Sequence, residues 1–565
     1  MITISKEESR KIKSDDQSLF IRFPYNPQLV NIMRGFRRRW WHHNEKVWEL
    51  PLSELDYLLS RLEGFQYDLQ FEKVDDKQEI DSFIYKTEPY SHQIEGVLYG
   101  LNKNNFLLAD EQGLGKTKQV IDIAITNKRD RGYKHCLIIC GVNGLKWNWR
   151  DEIEIHSEEK AHILGTRLNT RGKEVIPSSI EKLEDLENID EMPYFIITNI
   201  ETLRYKQTIK TKTGRNKTVY SIQEKISELT EKGVINMVVV DEIHKCKNPN
   251  SQQGKALLKI DAQTKIAMTG TPLMNHPLDL YIIMKWLGYT DESFYRFKNG
   301  ICIFGGYGGY QVVGYKNLKQ LQREIDNYTI RRLKSSVLDL PPKIKNIEYV
   351  EMGIGQERIY NQVLDAIVQD IDKIKTSPNP LSQLIRLRQA TADTSILSSK
   401  IQESAKLDRL EELVEEAVDN GEKIIVFSNW TNVTDIAYKR LSKYNPALIT
   451  GKTSDREEQQ NKFKTDDTCR VIIGTIGAMG TGLTLTEAST VIFLDSPWNR
   501  ALKDQAEDRA HRIGTKEPVH IITLVCKNTI DEKIEKLINK KGVMSDALVD
   551  NQYEITDELI DYLLS

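Results

Sequence analysis

Long apolar runs are missing from this sequence of 565 residues. No run approaches the roughly 18 residues that a membrane-spanning helix needs, and the N-terminal stretch MITISKEESRKIKSDD lacks the apolar core of a signal peptide. The 6 cysteines are scattered, and none forms a C-x-x-C pair with a matching second pair or a histidine pair. The pattern argues against disulfides and structural zinc, and we expect a soluble intracellular protein.

A strong excess of charge of either sign is also missing. The formal net charge is -3 and the isoelectric point is about 6.4, so any surface for nucleic acid must be a local patch. Hydrophobic residues make up 39% and charged residues 28% of the chain, as in ordinary globular proteins. The length predicts roughly three or four domains.

The stretch FLLADEQGLGKT, residues 106–117, joins an apolar run to a glycine loop and then to an amphipathic segment. This order predicts a buried strand, a phosphate-binding loop with Gly113 and Gly115, and a helix. Lys116 can reach the outer phosphates of a nucleotide, and the Thr117 hydroxyl can hold a magnesium ion. Asp110 stands where the first glycine of the strict phosphate-loop pattern belongs, and an ordinary turn remains the alternative.

An acidic pair follows a second apolar run further along the chain. The run 237–240 ends at Asp241 and Glu242, and together with HCLIIC (135–140) and YFIIT (194–198) it predicts a parallel α/β sheet. Asp241 would bind magnesium through water, and Glu242 would orient and deprotonate an attacking water. An acidic pair at a strand end is commonly without function, but the glycine loop on the same inferred sheet favours the catalytic interpretation.

A second α/β block begins at KIIVFSNW, residues 423–430. It ends in the stretch QAEDRAHRIG, where Arg509 and Arg512 are three residues apart and can point the same way on a helix or at its end. Two guanidinium groups aimed at one place suit a developing phosphoryl charge. The alternative is a surface salt-bridge pair with Glu507 and Asp508.

A small module precedes the first block. It carries a run of arginines beside tryptophans, a combination that supplies charge for phosphates and rings for stacking on bases. The members of this candidate DNA-binding patch are Arg37, Arg38, Arg39 and Trp40. The alternative is that the tryptophans fill a small core and the arginines only solvate its rim.

Taken in order, these stretches resemble the motif set of superfamily-two helicases, and most of all the Swi/Snf branch of DNA-dependent ATPases. The matching stretches lie within residues 85–530 and are Gln93, DEQGLGKT (110–117), DEIH (241–244), TGTP (269–272), RRLKSSVLDLPPK (331–343), GTIGAMGTGLTL (474–485) and QAEDRAHRIG (505–514). The resemblance implies ATP and Mg²⁺ as cofactors, with Gln93 reading the adenine and Arg509 and Arg512 as arginine fingers. Gln505 is expected among the residues that bind the nucleotide.

Two positions depart from the usual text of that family: Thr484 stands where an asparagine is common, and Thr515 where a glutamine usually follows. Neither change removes a phosphate-contacting group, so we expect turnover to survive. The stretch 20–62 is similar to the HARP domain of HepA-related annealing helicases, which implies a grip on branched or junction DNA.

The fold class implied is α/β, with two RecA-like parallel-sheet lobes, a helical insertion and a small α+β N-terminal module. The expected boundaries are 1–72 for the module, 73–275 for lobe 1, 276–405 for the insertion, 406–530 for lobe 2 and 531–565 for a C-terminal helical brace. Candidate positions for a DNA track are the backbone groups near Thr202, Thr271, Thr475 and Gly480.

We therefore expect an ATP-dependent DNA translocase that remodels or reanneals duplex or branched DNA, independently of sequence. Two alternatives stay open: a helicase that separates DNA or RNA strands, and an ATP-switched scaffold that displaces or recruits a DNA-bound protein. The compact chain favours a bacterial or phage source and a cytoplasmic, nucleoid-associated location, or a nuclear one if the source is eukaryotic.

Overall fold

The computed structural model describes most of the chain. The described residues are 2–11, 17–36, 39–71, 82–141, 145–170, 172, 174–176, 178–210, 216–246, 248–270, 277–305, 308, 311–338, 340–370, 381–480, 483–498, 500–515, 517–539 and 562–564. Within these ranges, none of the helices combines the length and the apolar character that crossing a membrane requires. The chain divides into two compact units: Met1–Glu111 with Gly115–Arg332, and Gln112–Leu114 with Leu333–Ser565.

The N-terminal part of the first unit has a sheet and a core of its own. Its elements are β1 (Ile2–Glu8), β2 (Gln17–Arg22), α1 (Pro27–Arg34), β3 (Trp40–His42), β4 (Val47–Pro51), α2 (Leu55–Arg61) and β5 (Tyr67–Leu69). The five strands lie in the order β3-β4-β2-β1-β5. Trp48 packs against the core, whereas Trp40 is 39% exposed. Trp48 therefore contributes to the hydrophobic core, and Trp40 is accessible to solvent.

The rest of the first unit contains a large sheet, further short strands and the helices around them. Its strands are β6 (Asn105–Leu108), β7 (His135–Cys140), β8 (Ala161–Ile163), β9 (Arg167–Leu168), β10 (Glu174–Val175), β11 (Phe195–Asn199), β12 (Lys206–Lys210), β13 (Asn216–Ser221), β14 (Ile235–Asp241), β15 (Thr264–Met268), β16 (Cys302–Gly305), β17 (Gln311–Tyr315) and β18 (Thr329–Ile330). Its helices are α3 (Ser91–Lys103), α4 (Lys116–Arg131), α5 (Leu145–His156), α6 (Ile180–Glu187), α7 (Ile222–Glu231), α8 (Gln252–Leu257), α9 (Leu280–Leu287), α10 (Phe294–Ile301) and α11 (Leu318–Asp326).

Seven of these strands form one parallel sheet in the order β18-β6-β15-β14-β7-β11-β8. All residues of β7 and β14 are buried, because clusters of apolar side chains cover both faces of the sheet. Burial on both faces explains why these strands are continuous apolar runs in the sequence. The predicted parallel α/β sheet is confirmed.

The second unit has a parallel sheet of six strands. Its strands are β19 (Lys343–Val350), β20 (Ile424–Ser428), β21 (Ala447–Ile449), β22 (Val471–Thr475), β23 (Thr490–Phe493) and β24 (Val519–Cys526), in the order β19-β24-β23-β20-β22-β21. Its helices are α12 (Lys334–Val337), α13 (Ile354–Gln369), α14 (Leu381–Ala392), α15 (Ala405–Asp419), α16 (Thr431–Arg440), α17 (Arg456–Thr465), α18 (Ile476–Met479), α19 (Arg500–Glu507) and α20 (Ile530–Asn539).

The structure divides the stretch 276–405, which we expected to form one helical insertion, between the two units. Residues up to Arg332 belong to the first unit because β18 pairs with β6 in the large sheet. Residues from Leu333 belong to the second unit because β19 pairs in parallel with β24. Helices α13 and α14 then pack with α20 in one apolar cluster. The unit boundary therefore lies between two edge strands.

Candidate active site

The glycine loop leads from β6 into α4. Gly113 and Gly115 have φ angles of +82° and +73°, which are left-handed values that residues with a Cβ rarely adopt. A Cβ at Gly115 would also overlap the amide nitrogen of Gln93. The backbone conformation therefore favours glycine at both positions, and the close approach of Gln93 is a second reason at Gly115.

Lys116 is the first residue of α4 and Thr117 the second, and both are half-buried. The Nζ atom of Lys116 donates hydrogen bonds to the backbone carbonyls of Asp110 (2.8 Å) and Glu111 (3.3 Å). The ammonium group thus lies over the start of the loop, where a polyphosphate would meet the N-terminus of a helix of 16 residues.

Gln93 lies near the N-terminus of α3 and is 3% exposed. Its Oε1 atom accepts a hydrogen bond from the backbone N–H of Tyr90 (3.0 Å), and its Nε2 side faces Gly115. The structure therefore brings the predicted adenine reader to the glycine loop.

The acidic pair lies at the carboxyl end of β14, on the same edge of the sheet as the glycine loop, because β6, β15 and β14 are adjacent and parallel. Asp241 is 8% exposed, and its Oδ2 atom accepts a hydrogen bond from Trp149 Nε1 (2.9 Å). Burial raises the pKa of Asp241 to about 6, with a further contribution from the adjacent Glu242 carboxylate. Such an environment favours a bound cation.

Glu242 has a φ angle of +52°, which is strained for a residue with a side chain. Burial disfavours its charged form, but the contact with His244, together with the charges of Lys116 and Lys245, lowers the pKa of Glu242. His244 Nδ1 lies 3.2 Å from Glu242 Oε2 and 3.2 Å from Thr269 Oγ1. His244 therefore links the acidic pair to Thr269, the first residue of TGTP. The candidate residue Thr271 lies outside the described residues.

Two buried carboxylates beside a lysine and a threonine hydroxyl suit Mg²⁺, which prefers oxygen ligands and keeps several waters. Glu242 Oε2 is a buried oxygen that lies 3.2 Å from His244 Nδ1. The described residues therefore fit the predicted ion, with Asp241 and Thr117 as its candidate ligands.

In the second unit, Arg509 and Arg512 lie beyond the end of α19, in the turn that follows the helix. Arg509 is 8% exposed, and its guanidinium donates to the backbone oxygens of Gln505 (3.0 Å) and Leu483 (3.1 Å). Arg512 Nη1 donates to Thr484 Oγ1 (2.7 Å), and Arg512 N donates to Thr515 Oγ1 (3.0 Å). Thr484 and Thr515, the two residues that differ from those usual in the resembled family, therefore both form hydrogen bonds with Arg512.

The alternative of a salt-bridge pair with Glu507 and Asp508 is not what the structure shows. Both carboxylates are buried and form ion pairs with lysines of the stretch 334–345. The pairs are Glu507 with Lys343 (3.3 Å) and Lys345 (2.6 Å), and Asp508 with Lys334 (2.7 Å) and Lys343 (2.6 Å). The lysines neutralise the acids, so the arginines are not required for that purpose.

The candidate DNA-binding residues have different surroundings. Arg37 and Arg38 lie outside the described residues, Arg39 is half-buried and donates to Phe36 O, and the ring of the exposed Trp40 lies 5.5 Å from Lys11 Nζ. The Thr202 hydroxyl is buried and is bonded to Lys182 Nζ (2.8 Å) and Asn199 Oδ1 (2.7 Å). Thr475 ends β22, and Gly480 follows α18.

Four side chains near the predicted sites had been given no role from the sequence. Trp149 and His244 hold the acidic pair, and Lys146 and Lys182 lie near the carboxyl ends of β7 and β11. Burial and, to a smaller extent, the nearby ammonium of Lys182 lower the pKa of Lys146 to about 8, although Cys140 and Glu201 act in the opposite direction. His244 stands two residues after Glu242 in the stretch DEIH, whereas Trp149 and Asp241 are 92 residues apart, so no local pattern indicated their contact.

Comparison with known proteins gives consistent results. The chain matches the SNF2-related domain over residues 39–396 and the helicase conserved C-terminal domain over residues 405–514. It is 29% identical to an uncharacterized ATP-dependent helicase of Mycoplasma pneumoniae, over 82% of this chain and 42% of that protein. It is 26% identical to the human DNA annealing helicase and endonuclease ZRANB3 (82% and 40% covered) and 25% identical to the putative ATP-dependent helicase/translocase YwqA of Bacillus subtilis (84% and 50%).

Among solved structures, the Sulfolobus solfataricus SWI2/SNF2 ATPase core in complex with dsDNA is 24% identical, with 86% of this chain and 99% of that chain covered and a TM-score of 0.37. The chain spans about half the length of the curated relatives it matches. The SNF2-related match covers more than half of the 565 residues. The chain therefore belongs to the SNF2-related family.

Proposed function

We propose that this chain is a motor that hydrolyses ATP and uses the energy to move along DNA. One observation supports the proposal above the others: a single parallel sheet brings the glycine loop with Lys116 and the acidic pair Asp241 and Glu242 to one edge. Nucleoside triphosphates bind at this edge of open α/β sheets.

In the proposed reaction, the loop N–H groups and Lys116 hold the phosphates, and Gln93 contacts the adenine. Asp241 and Thr117 would hold a magnesium ion, which would neutralise phosphate charge. Glu242 orients and deprotonates the attacking water, since its lowered pKa keeps it a base at neutral pH. Arg509 and Arg512 are the candidate arginine fingers, whose charge would stabilise the developing phosphoryl charge.

DNA is proposed as the track for two reasons. One similar protein is named as a DNA annealing helicase. Lys146 and Lys182 also place two buried ammonium groups near the carboxyl ends of β7 and β11. The charge of Glu201 acts on both, and Lys182 Nζ donates to the Thr202 hydroxyl. Two buried cations that share one nearby carboxylate favour an anion such as a backbone phosphate.

The nucleotide part is tested with Lys116→Ala and Glu242→Gln. Both variants should lose at least about 100-fold in steady-state ATPase activity, while binding of a labelled duplex stays unchanged. Lys232→Ala and Glu231→Gln, exposed residues at the end of α7, serve as matched controls. Full turnover in Glu242→Gln would contradict the catalytic assignment.

The motor part is tested by an unwinding assay on tailed duplexes beside a strand-annealing assay. Annealing or remodelling without unwinding supports the translocase. Unwinding supports the strand-separating alternative. Slow ATPase turnover with every nucleic acid tried would favour the ATP-switched scaffold that displaces or recruits a DNA-bound protein.

A further inference from the structure

Arg332 is the last residue of the first unit, and its side chain reaches the start of the glycine loop. Its Nε and Nη2 atoms donate to the two carboxylate oxygens of Asp110 (3.0 and 2.6 Å), which is fully buried. Nη2 also donates to Gln119 Oε1 of α4 (2.9 Å), and Nη1 donates to the backbone oxygen of His92 in α3. One guanidinium therefore joins the loop and both helices that flank it.

The backbone of the same segment is paired with the loop strand. Hydrogen bonds run from Leu107 N to Tyr328 O (2.8 Å), from Ala109 N to Ile330 O (2.8 Å) and from Glu111 N to Arg332 O (2.9 Å). The chain passes from the first unit to the second after Glu111 and again after Arg332. The hydrogen bond from Glu111 to Arg332 therefore connects the two residues after which the chain leaves the first unit.

The surroundings of Arg332 are shaped for this contact. Gly96 lies inside α3, where glycine costs about 1 kcal/mol relative to alanine. A Cβ at this position would overlap Gln119 Oε1 and come within 2.7 Å of Arg332 Nη2. The helix therefore has a glycine where the arginine and Gln119 need the space.

The contact also concerns the nucleotide itself. Lys116 Nζ donates to the backbone oxygen of Asp110, and His92, whose backbone oxygen accepts from Arg332, precedes Gln93. A shift of Arg332 would thus reach both the lysine and the glutamine that we assign to ATP. Arg332 also compensates the buried charge of Asp110, which would otherwise repel a polyphosphate.

We propose that Arg332 is a positioning residue that couples nucleotide binding in the glycine loop to the segment through which the chain leaves the first unit. The inference rests on the proposed function. It assigns to Asp110, which replaces a glycine of the strict loop pattern, the role of receptor for this arginine. A lysine cannot replace Arg332, because only a planar guanidinium can donate to Asp110, Gln119 and the His92 carbonyl at the same time.

The test compares Arg332→Lys, Gly96→Ala and the double variant Asp110→Asn with Arg332→Gln against the wild type. Arg331→Lys is the control, because Arg331 is the exposed neighbour. Melting temperature, DNA-stimulated ATPase kcat and KM, and hydrogen exchange of peptides 106–117 and 328–333 with a non-hydrolysable ATP analogue are measured.

In the wild type, the analogue should slow exchange in both peptides. In Arg332→Lys and Gly96→Ala it should protect only 106–117, and DNA-stimulated kcat should fall at least about fivefold. The double variant has no buried charge left uncompensated, so its melting temperature should return to near wild type while stimulation stays low.

Two results would overturn the inference: stimulation that recovers together with the melting temperature in the double variant, or Arg332→Lys behaving as wild type in every readout. Protection of 106–117 without protection of 328–333 in the wild type would overturn it as well. A wild type with neither protection nor turnover would instead contradict the proposed function.

Discussion

At the residue scale, Arg512 is held by two hydroxyl groups that the resembled family does not usually have. Thr484 accepts a hydrogen bond from its guanidinium, and Thr515 accepts one from its backbone N–H and donates to Ala510 O (2.7 Å). The sequence identified the two departures separately. That they share one arginine became visible only in three dimensions, because residues 484 and 512 are distant in the chain.

We predict that Thr484→Val lowers DNA-stimulated kcat about tenfold, since a hydrogen bond to a charged group contributes about 1.5–3 kcal/mol. Valine has nearly the shape of threonine but cannot accept the bond. Thr484→Ser keeps the hydroxyl and should retain most of the activity. Equal kcat in the valine and serine variants would show that the contact does not position Arg512.

The Trp149 indole orients a second residue of the candidate site, because its Nε1 atom donates to Oδ2 of the candidate magnesium ligand Asp241. Trp149→Phe should raise the Mg²⁺ concentration needed for half-maximal ATPase activity about tenfold, as loss of a supporting hydrogen bond does at other metal sites. Trp147→Phe, in the same helix and packed under Arg150, is the control. An unchanged Mg²⁺ requirement in Trp149→Phe would contradict the role of Asp241.

At the element scale, the central strands were predictable and the edge strands were not. The runs that became β6, β7, β14 and β20 are continuously apolar, because both faces of a parallel sheet are buried. The edge strand β18 has only two residues, and β19 is largely exposed. Their pairing depends on partners about 170 to 220 residues away, which no local pattern indicates.

In the candidate site, too, residues that belong to local sequence patterns were predictable, and long-range contacts were not. The glycine loop and acidic pair are local patterns, so Lys116, Thr117, Asp241 and Glu242 were identified from sequence and lie together along one sheet edge. The contact of Arg332 with Asp110 spans 222 residues and has no local signature. We expected Arg509 and Arg512 on a helix or at its end, and they lie just past the last residue of α19.

The buried lysines near the ends of β7 and β11 give a pH prediction. The pKa of Lys146 is lowered to about 8, so its ammonium loses its charge as the pH rises through that value. If Lys146 contacts a phosphate, duplex affinity should weaken between about pH 7 and 9. The groups that face it are Lys182 of α6, Glu201 after β11 and Cys140 of β7.

Lys146→Arg stays charged over this range and should remove the pH dependence. Lys146→Met should bind weakly at every pH and reduce the salt dependence of binding by about one phosphate contact. Identical pH profiles in the wild type and Lys146→Arg would contradict the contact. The measurement is fluorescence anisotropy with a labelled duplex at several salt concentrations.

At the scale of the whole molecule, the N-terminal module has its own sheet and core within the first unit. Its resemblance to a junction-binding module remains a prediction, and the exposed Trp40 with Lys11 beside its ring is the described part of the expected patch. The SNF2-related match begins at residue 39, within this module.

A chain that starts at Ser82 should retain basal ATPase activity and lose preferential stimulation by forked over linear duplex DNA. The reason is that stacking on the exposed Trp40 and charge from Arg39 would be removed, while the loop and the acidic pair remain. Trp40→Ala in the full chain should give part of the same loss. Equal preference for forks in the shortened chain would remove the module from DNA recognition.

Steady-state ATP hydrolysis by the full chain shows whether this molecule is the DNA-stimulated ATPase that we propose. The reaction is measured without nucleic acid and with single-stranded DNA, duplex DNA, forked DNA and RNA, beside Glu242→Gln as the inactive reference. We predict strong stimulation by duplex and forked DNA and background hydrolysis in Glu242→Gln. Turnover that duplex and fork leave unchanged, or that RNA alone stimulates, would contradict the account.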